Sequence, residues 1–148
     1  MSDDPFADPE ICQAVLMDYH RHPRCAGVCE SPTHGGEACN PACGDIVKLG
    51  FQVADGVIRQ ARAAGAGCAV SQAAASLLAE RLEGAPLAEA AAVLAELEKM
   101  LSGQPALDAA LLGNLAALRL ITGNPGRVRC AFTAGQAADS AGIRTVDG

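Results

Sequence analysis

Tryptophan is absent from this 148-residue chain, and aromatic side chains make up only 3% of it: Phe6, Tyr19, Phe51 and Phe132. Surfaces that stack the bases of single-stranded nucleic acid need more than that. Positive charge is scarce too. The 11 Lys and Arg residues stand against 17 Asp and Glu, giving a net charge of −6 and excluding a broad phosphate-binding face. No apolar run approaches the roughly 18 residues of a membrane span, so no nucleic-acid or membrane partner is expected. The start, Met1-Ser2-Asp3-Asp4-Pro5, has no apolar stretch of the signal-peptide kind, and a cytoplasmic location is expected. There is no C-x-x-C pair, no internal repeat and no visible interdomain linker.

With so few aromatics, the apolar half of the sequence is Ala, Leu and Val, which suits closely packed helices. An acidic arm without structure is expected over 1–7, one domain over 8–140 and a tail over 141–148. Asp8-Pro9 opens a helix over 8–20, with Asp8 as N-cap and Pro9 in the first turn. The helix stops before Pro23. Residues 23–42 read as a long ordered loop. Val47, Leu49, Phe51 and Val53 alternate with Lys48, Gly50 and Gln52 as in a half-buried strand. Asp55-Gly56 turns the chain back into a second strand over 57–64. Two strands alone are marginal, so a third from residues 28–38, or pairing elsewhere, is expected. Helical spacing then predicts helices over 69–83, from Leu87 to Leu101 and from about Leu107 to Ile121. A last helix over 130–140, interrupted by Gly135, reads as weak. The order of helix, strands and helices is that of an α+β fold, a small antiparallel sheet packed against several helices.

Seven cysteines stand out: Cys12, Cys25, Cys29, Cys39, Cys43, Cys68 and Cys130. The odd count and a reducing compartment argue against a full disulfide framework and for metal or sulfur chemistry. Cys12, alone on an apolar helix face, reads as a small buried hydrophobe. The rest of the chemistry concentrates in three segments. In Asn40-Pro41-Ala42-Cys43-Gly44-Asp45 a thiolate and a carboxylate stand two residues apart as the chain enters a strand, so both can face one way. They repel each other unless a cation lies between them, and N, O and S donors suit zinc or ferrous iron. In Gly65-Ala66-Gly67-Cys68 the glycines allow a sharp strand-to-helix turn, and the helix N-terminus stabilises a thiolate. In Arg127-Val128-Arg129-Cys130 two guanidinium groups favour a thiolate and attract an anionic persulfide. The histidines are less specific. His20 and His22 suit a helix C-terminus, and His34 is a candidate substitute ligand for an iron state.

Together these segments, with Tyr19-His20-Arg21-His22-Pro23-Arg24 as an entry motif, resemble the IscU/SufU/NifU-N family over roughly residues 10–133. The resemblance implies that Cys43, Asp45, Cys68 and Cys130 meet at one exposed metal-binding end. It implies work with a cysteine desulfurase of the SufS kind, and with downstream assembly proteins, in iron–sulfur cluster assembly. The scaffold branch carries a His immediately before its last cysteine, where this chain has Arg129. That departure, and the long interval between Cys68 and Cys130, look like the SufU branch. In that branch zinc is held by three thiolates and one carboxylate, Cys43 accepts the sulfur, and Arg127 and Arg129 are auxiliary. The chain is then a sulfurtransferase-like acceptor, not a stand-alone enzyme, since neither a general base nor a substrate cleft is evident. A scaffold carrying a transient [2Fe-2S] cluster is the alternative role.

Two other readings are open. Cys25, Cys29, Cys39 and Cys43 form two evenly spaced pairs and could close a four-thiolate structural zinc module. Cys39 and Cys43 could also form an exchanging thiol pair, although Asn40-Pro41 makes a helical turn between them improbable.

Overall fold

The computed structural model describes residues 5–42, 44–104 and 108–143. Asp8 caps helix α1 (Pro9–Arg21) by accepting the Glu10 N–H at 2.9 Å, and Pro9 occupies the first turn. His22 ends it, immediately before Pro23. Residues 5–7, expected to be part of an arm, form one 3-10 turn. The Phe6 carbonyl of that turn accepts from the Cys12 thiol at 3.3 Å, and Cys12 is buried as expected.

Three strands follow: β1 (His34–Asn40), β2 (Asp45–Ala54) and β3 (Val57–Ala66), in that order in one antiparallel sheet. The third strand was expected over 28–38 and lies slightly later. The β2–β3 hairpin closes with Ala54 opposite Val57. Both turn residues, Asp55 and Gly56, have positive φ (54° and 74°), the type I′ geometry that matches strand twist and that Asp-Gly favours. The alternation in β2 buries Val47, Leu49 and Phe51 on one face. The loop before β1 is tied to β3, since Cys25 O accepts from Ala63 N (2.7 Å) and Gly27 N donates to Ala63 O (2.9 Å).

Helices α2 (Ala69–Leu82) and α5 (Pro125–Ala141) cover the inner face of the sheet, while α1 and α3 (Leu87–Leu101) pack on them. Leu77, Leu78 and Leu82 from α2 and Leu94 and Met100 from α3 are the bulk of the core beside Phe51 and Ile58.

Two helical expectations need correction. The helix expected from about Leu107 (outside the described residues) to Ile121 is a short α4 (Ala109–Leu112) followed by nine residues of 3-10 helix, Gly113–Ile121. Gly113 has φ +57°, and Arg81 Nε takes the Leu111 carbonyl at 2.8 Å, so the α-helical ladder ends there. The large buried side chains around it, Leu112, Leu115, Leu118 and Ile121, repeat every third position, and side chains three apart eclipse in a 3-10 helix. The second correction concerns α5. It begins five residues earlier than expected, with Asn124 as N-cap accepting the Arg127 N–H at 3.1 Å and Pro125 in the first turn. It runs 17 residues to the αL cap Gly142, and Ile143, expected in a tail, is fully buried.

Small residues are what let α5 lie on the sheet. Ala131, Ala134, Ala137, Ala138 and Ala141 are buried. At Gly36 of β1, a Cβ would stand 2.1 Å from the Ala137 carbonyl oxygen, so helix and strand backbones touch. The composition that makes this helix look weak is what its packing requires.

Candidate metal centre

The site lies where the C-terminal end of β1, the start of β2, the end of β3 and the N-termini of α2 and α5 meet. Asp45 is the first residue of β2 and is fully buried. Cys68 is the N-cap of α2 and half-buried, with the Ser71 N–H donating to its sulfur at 3.4 Å. Cys130, one turn and a half into α5, is buried. The ligand atoms of Asp45, Cys68 and Cys130 all lie within 4.8 Å of one another, the one such group of three or more Cys, His, Asp or Glu side chains among the described residues. The fold thus brings together three of the four residues that the resemblance implies as ligands. Cys43, the expected sulfur acceptor, lies outside the described residues. The exposed end expected from the resemblance is in fact mostly covered. Its opening is the half-buried Cys68, together with the exposed loop residues Pro41, Ala42 and Gly44.

The glycines of the second motif are needed for this geometry. Gly67 has φ +145°, and a Cβ there would stand 2.3 Å from Asp45 Oδ1. A Cβ at Gly65 would stand 2.0 Å from the Ile46 carbonyl oxygen. Only bare backbone can wrap the carboxylate this closely. The Cys68 N–H then donates to Asp45 Oδ1 at 2.8 Å, and the Cys68 sulfur lies 3.8 Å from Oδ2.

Burial pushes the Asp45 carboxyl up. The hydrogen bonds from the Cys68 N–H, the Cys130 and Cys68 thiols and Ser71 outweigh it, holding the group below the usual carboxylate range. Asp45 is thus a buried anion, and none of the ion pairs among the described residues supplies it with a Lys or Arg. A buried charge without a cationic partner is costly. Two sulfurs and a carboxylate in reach of one point fit a divalent cation of the zinc or ferrous class.

Beside the sulfurs opens a cleft of about 530 Å³, contrary to the expectation of none. Leu16, Met17, Val70 and Ile121 give it apolar walls, and Cys68, Cys130, His20 and Arg127 also line it. Arg129 is exposed on α5 and does not line it. Nothing in the sequence periodicity marks this cleft, because its walls come from four separate elements.

The remaining candidates are placed elsewhere. His34 begins β1 and contacts Thr33 Oγ1 at 2.8 Å. Six strand residues, about 20 Å, separate it from the site end at Asn40, so it is not a substitute ligand here. Cys29 is buried beneath Gly50, with its thiol 3.3 Å from Gln60 Oε1, and Cys39 is exposed. Cys25, Cys29 and Cys39 do not converge with one another, which removes the geometric basis of a four-thiolate module. The entry motif is a latch. Tyr19 bonds Glu80 of α2 and accepts from Asn114 Nδ2 at 2.9 Å, while the Arg24 guanidinium sits 4.1 Å over the Tyr19 ring and 2.6 Å from Asp18.

A three-stranded sheet backed by helices, with a Cys/Cys/Asp cluster at one end that could hold a cation, defines an α+β protein. The chain belongs to the family of the NifU-like N terminal domain, whose model matches residues 11–131. It is 35% identical over 116 residues to the iron-sulfur cluster assembly scaffold protein IscU of Thermotoga maritima, covering 78% of this chain and 81% of that one. It is 28% identical over 121 residues to the zinc-dependent sulfurtransferase SufU of Bacillus subtilis, covering 82% of each. A crystal structure of a candidate iron-sulfur cluster assembly scaffold for the SUF system from Fervidobacterium islandicum superposes with a TM-score of 0.80 at 28% identity, over 86% of this chain and 93% of that one. Among the described residues no helix is long and apolar enough to cross a membrane.

Proposed function

We propose that this chain serves iron–sulfur cluster assembly as a zinc-dependent sulfur relay. Cys43 is the acceptor, Asp45, Cys68 and Cys130 are its co-ligands, and a cysteine desulfurase is the donor. The supporting observation is the meeting of Asp45, Cys68 and Cys130 within 4.8 Å around a carboxylate that no ion pair among the described residues neutralises. Zinc bound there would keep its sulfur ligands as thiolates at neutral pH. The chain's own residues do the rest. The Cys68 N–H fixes the Asp45 carboxylate, and the Ser71 N–H at the start of α2 faces the Cys68 sulfur.

Transfer is thiol–persulfide exchange. The Cys43 thiolate attacks the outer sulfur of the donor's Cys–S–SH group, a new S–S bond forms at Cys43, and the donor's own S–S bond breaks. The donor cysteine leaves as a thiolate and the proton stays on the transferred sulfur, so no outside oxidant or reductant is needed. Arg127, on the cleft wall beside Cys68 and Cys130, would stabilise the thiolate that leaves on the donor cysteine. Arg129, exposed on the same helix, adds to the positive field at that end.

The scaffold role, with a transient [2Fe-2S] cluster as cargo, is the second reading, and the identity to an IscU scaffold favours it. Elemental analysis of purified protein, with and without Cys43→Ser, separates the two when paired with a desulfurase assay. Colourless protein with one zinc per chain, and a desulfurase stimulated by the wild type but not by Cys43→Ser, is the expected result. Iron with a visible chromophore and no stimulation would transfer the case to the scaffold.

A further inference from the structure

Asn40 is the last residue of β1 and one of the few buried polar side chains in the protein, at 8% exposure. Its backbone pairs with Asp45 across the β1–β2 ladder. Its side chain reaches two further parts of the site. Oδ1 accepts the Ala42 N–H at 3.3 Å, an Asx turn that shapes the loop one residue before Cys43. Nδ2 points at the Cys130 sulfur at 3.8 Å, 90 positions along the chain, within reach of an N–H···S contact to that large atom. One amide therefore joins the loop of the first motif to the helix of the third, with the carboxylate of the site beside both.

The geometry points to Asn40 as a positioning residue for the metal centre: its amide donates to the Cys130 sulfur and sets both the place and the donor strength of that ligand. The claim rests on the proposed metal site, although the bond itself is a property of the bare protein. A donor aimed at a thiolate stabilises charge on sulfur and fixes where the sulfur sits, and partners of this kind commonly change metal affinity about 10- to 100-fold. The carbonyl end of the same amide could be replaced by a carboxylate oxygen without losing the Asx turn. The donor end could not.

That asymmetry supplies the test. Asn40→Asp keeps the acceptor for Ala42 but sets an anion against the sulfur, while Asn40→Ala removes both ends. Each variant is loaded with Co²⁺ or Zn²⁺, checked for folding by its thermal melt, and challenged with a chromogenic chelator. The expected result is metal release at least tenfold faster from Asn40→Asp than from wild type, with Asn40→Ala between them. The sulfur-to-cobalt charge-transfer band of Asn40→Ala should move to longer wavelength. Asn40→Asp holding metal like the wild type, with only Asn40→Ala impaired, would overturn the claim and leave Asn40 as a turn residue. Wild-type protein that takes up neither metal would overturn the metal reading instead. Asn40 would then be decided by side-chain amide exchange in the metal-free protein: protected if the bond exists, solvent-like if it does not.

Discussion

Cys29 and Cys130 are buried almost equally, at 4% and 3% exposure, yet they face different groups. The Cys29 sulfur faces acceptors, Gln60 Oε1 at 3.3 Å and the Glu30 carbonyl at 3.9 Å. Such a pocket keeps the proton on sulfur, and burial pushes the Cys29 thiol up. The Cys130 sulfur faces a donor, Asn40 Nδ2, and its neighbour Cys68 faces another, the Ser71 N–H. Both of these thiols also bond the Asp45 carboxylate, so two sulfurs and an anion meet where one divalent cation could replace the thiol protons. Burial by itself therefore does not separate a structural cysteine from a ligand. A shared carboxylate does, and here it sets Cys68 and Cys130 apart from Cys29.

Removing the cation should have the largest effect. If zinc saturates the site about a thousandfold above its dissociation constant, it stabilises the fold by ~4 kcal/mol, or roughly 10 °C in Tm for a chain of this size. Chelation of wild-type protein should lower Tm by about that amount, Cys68→Ser should be insensitive to chelator, and Cys29→Ala should respond like wild type. Equal responses of Cys68→Ser and wild type, followed by calorimetry, would erase the distinction between the two kinds of sulfur.

Gly67→Ala should come next. The added methyl meets the Asp45 carboxylate and the position has φ +145°, so a loss of at least ~2 kcal/mol is expected in denaturant titrations of metal-free protein. Metal retention should fall with it, because Asp45 must move. Gly44→Ala provides the contrast: its φ is +71° but nothing lies within 4 Å, so only the backbone cost of about 1 kcal/mol applies.

Much of this site was legible beforehand because its signals are local. A thiol and a carboxylate flanking Gly44, a Gly-x-Gly turn into a helix and a basic run before Cys130 are each a few residues long. The hairpin was legible for the same reason, through period-2 alternation and Asp55-Gly56. The parts that were not legible depend on distant partners. Asn40 reads as a turn former, and its contact with Cys130 spans 90 positions. The α5 helix looks weak because its alanines and glycine lack bulk, but β1 supplies Gly36 against which only small residues fit. The 3-10 run shows a period of three only once Leu112, Leu115, Leu118 and Ile121 are read as one face, and Gly113 is the break before it.

A smaller effect is expected at Cys29. Its folded-state pKa is raised, with burial the main cause. The stability tied to its neutral thiol is therefore complete below the unfolded-state value of 9.0 and declines as pH rises above it. Cys29→Ala should cost about 1 kcal/mol at pH 7 through loss of the buried sulfur and its contact with Gln60, and should flatten the alkaline limb of the stability profile above pH 9. An alkaline limb unchanged by the substitution would assign it to other groups.

Cys39 should matter least. Side chains in β1 alternate, with Ala38 and Asn40 more covered and Cys39 exposed between them. Because strand side chains point to opposite faces at successive positions, Cys39 cannot share a face with Asn40, whose amide reaches Cys130. Cys39→Ser should change stability by less than ~0.5 kcal/mol and leave metal content as it was. Cys39 should also be the first thiol alkylated in native protein, ahead of Cys25 and Cys29, whose thiols burial pushes up. Mass-spectrometric mapping under limiting iodoacetamide reads that order directly. If Cys39 instead resists alkylation, and a Cys39–Cys43 disulfide is recovered from metal-free protein, the loop must bring both sulfurs to one side. The exchanging-pair reading would then regain its footing against the division drawn from the strand.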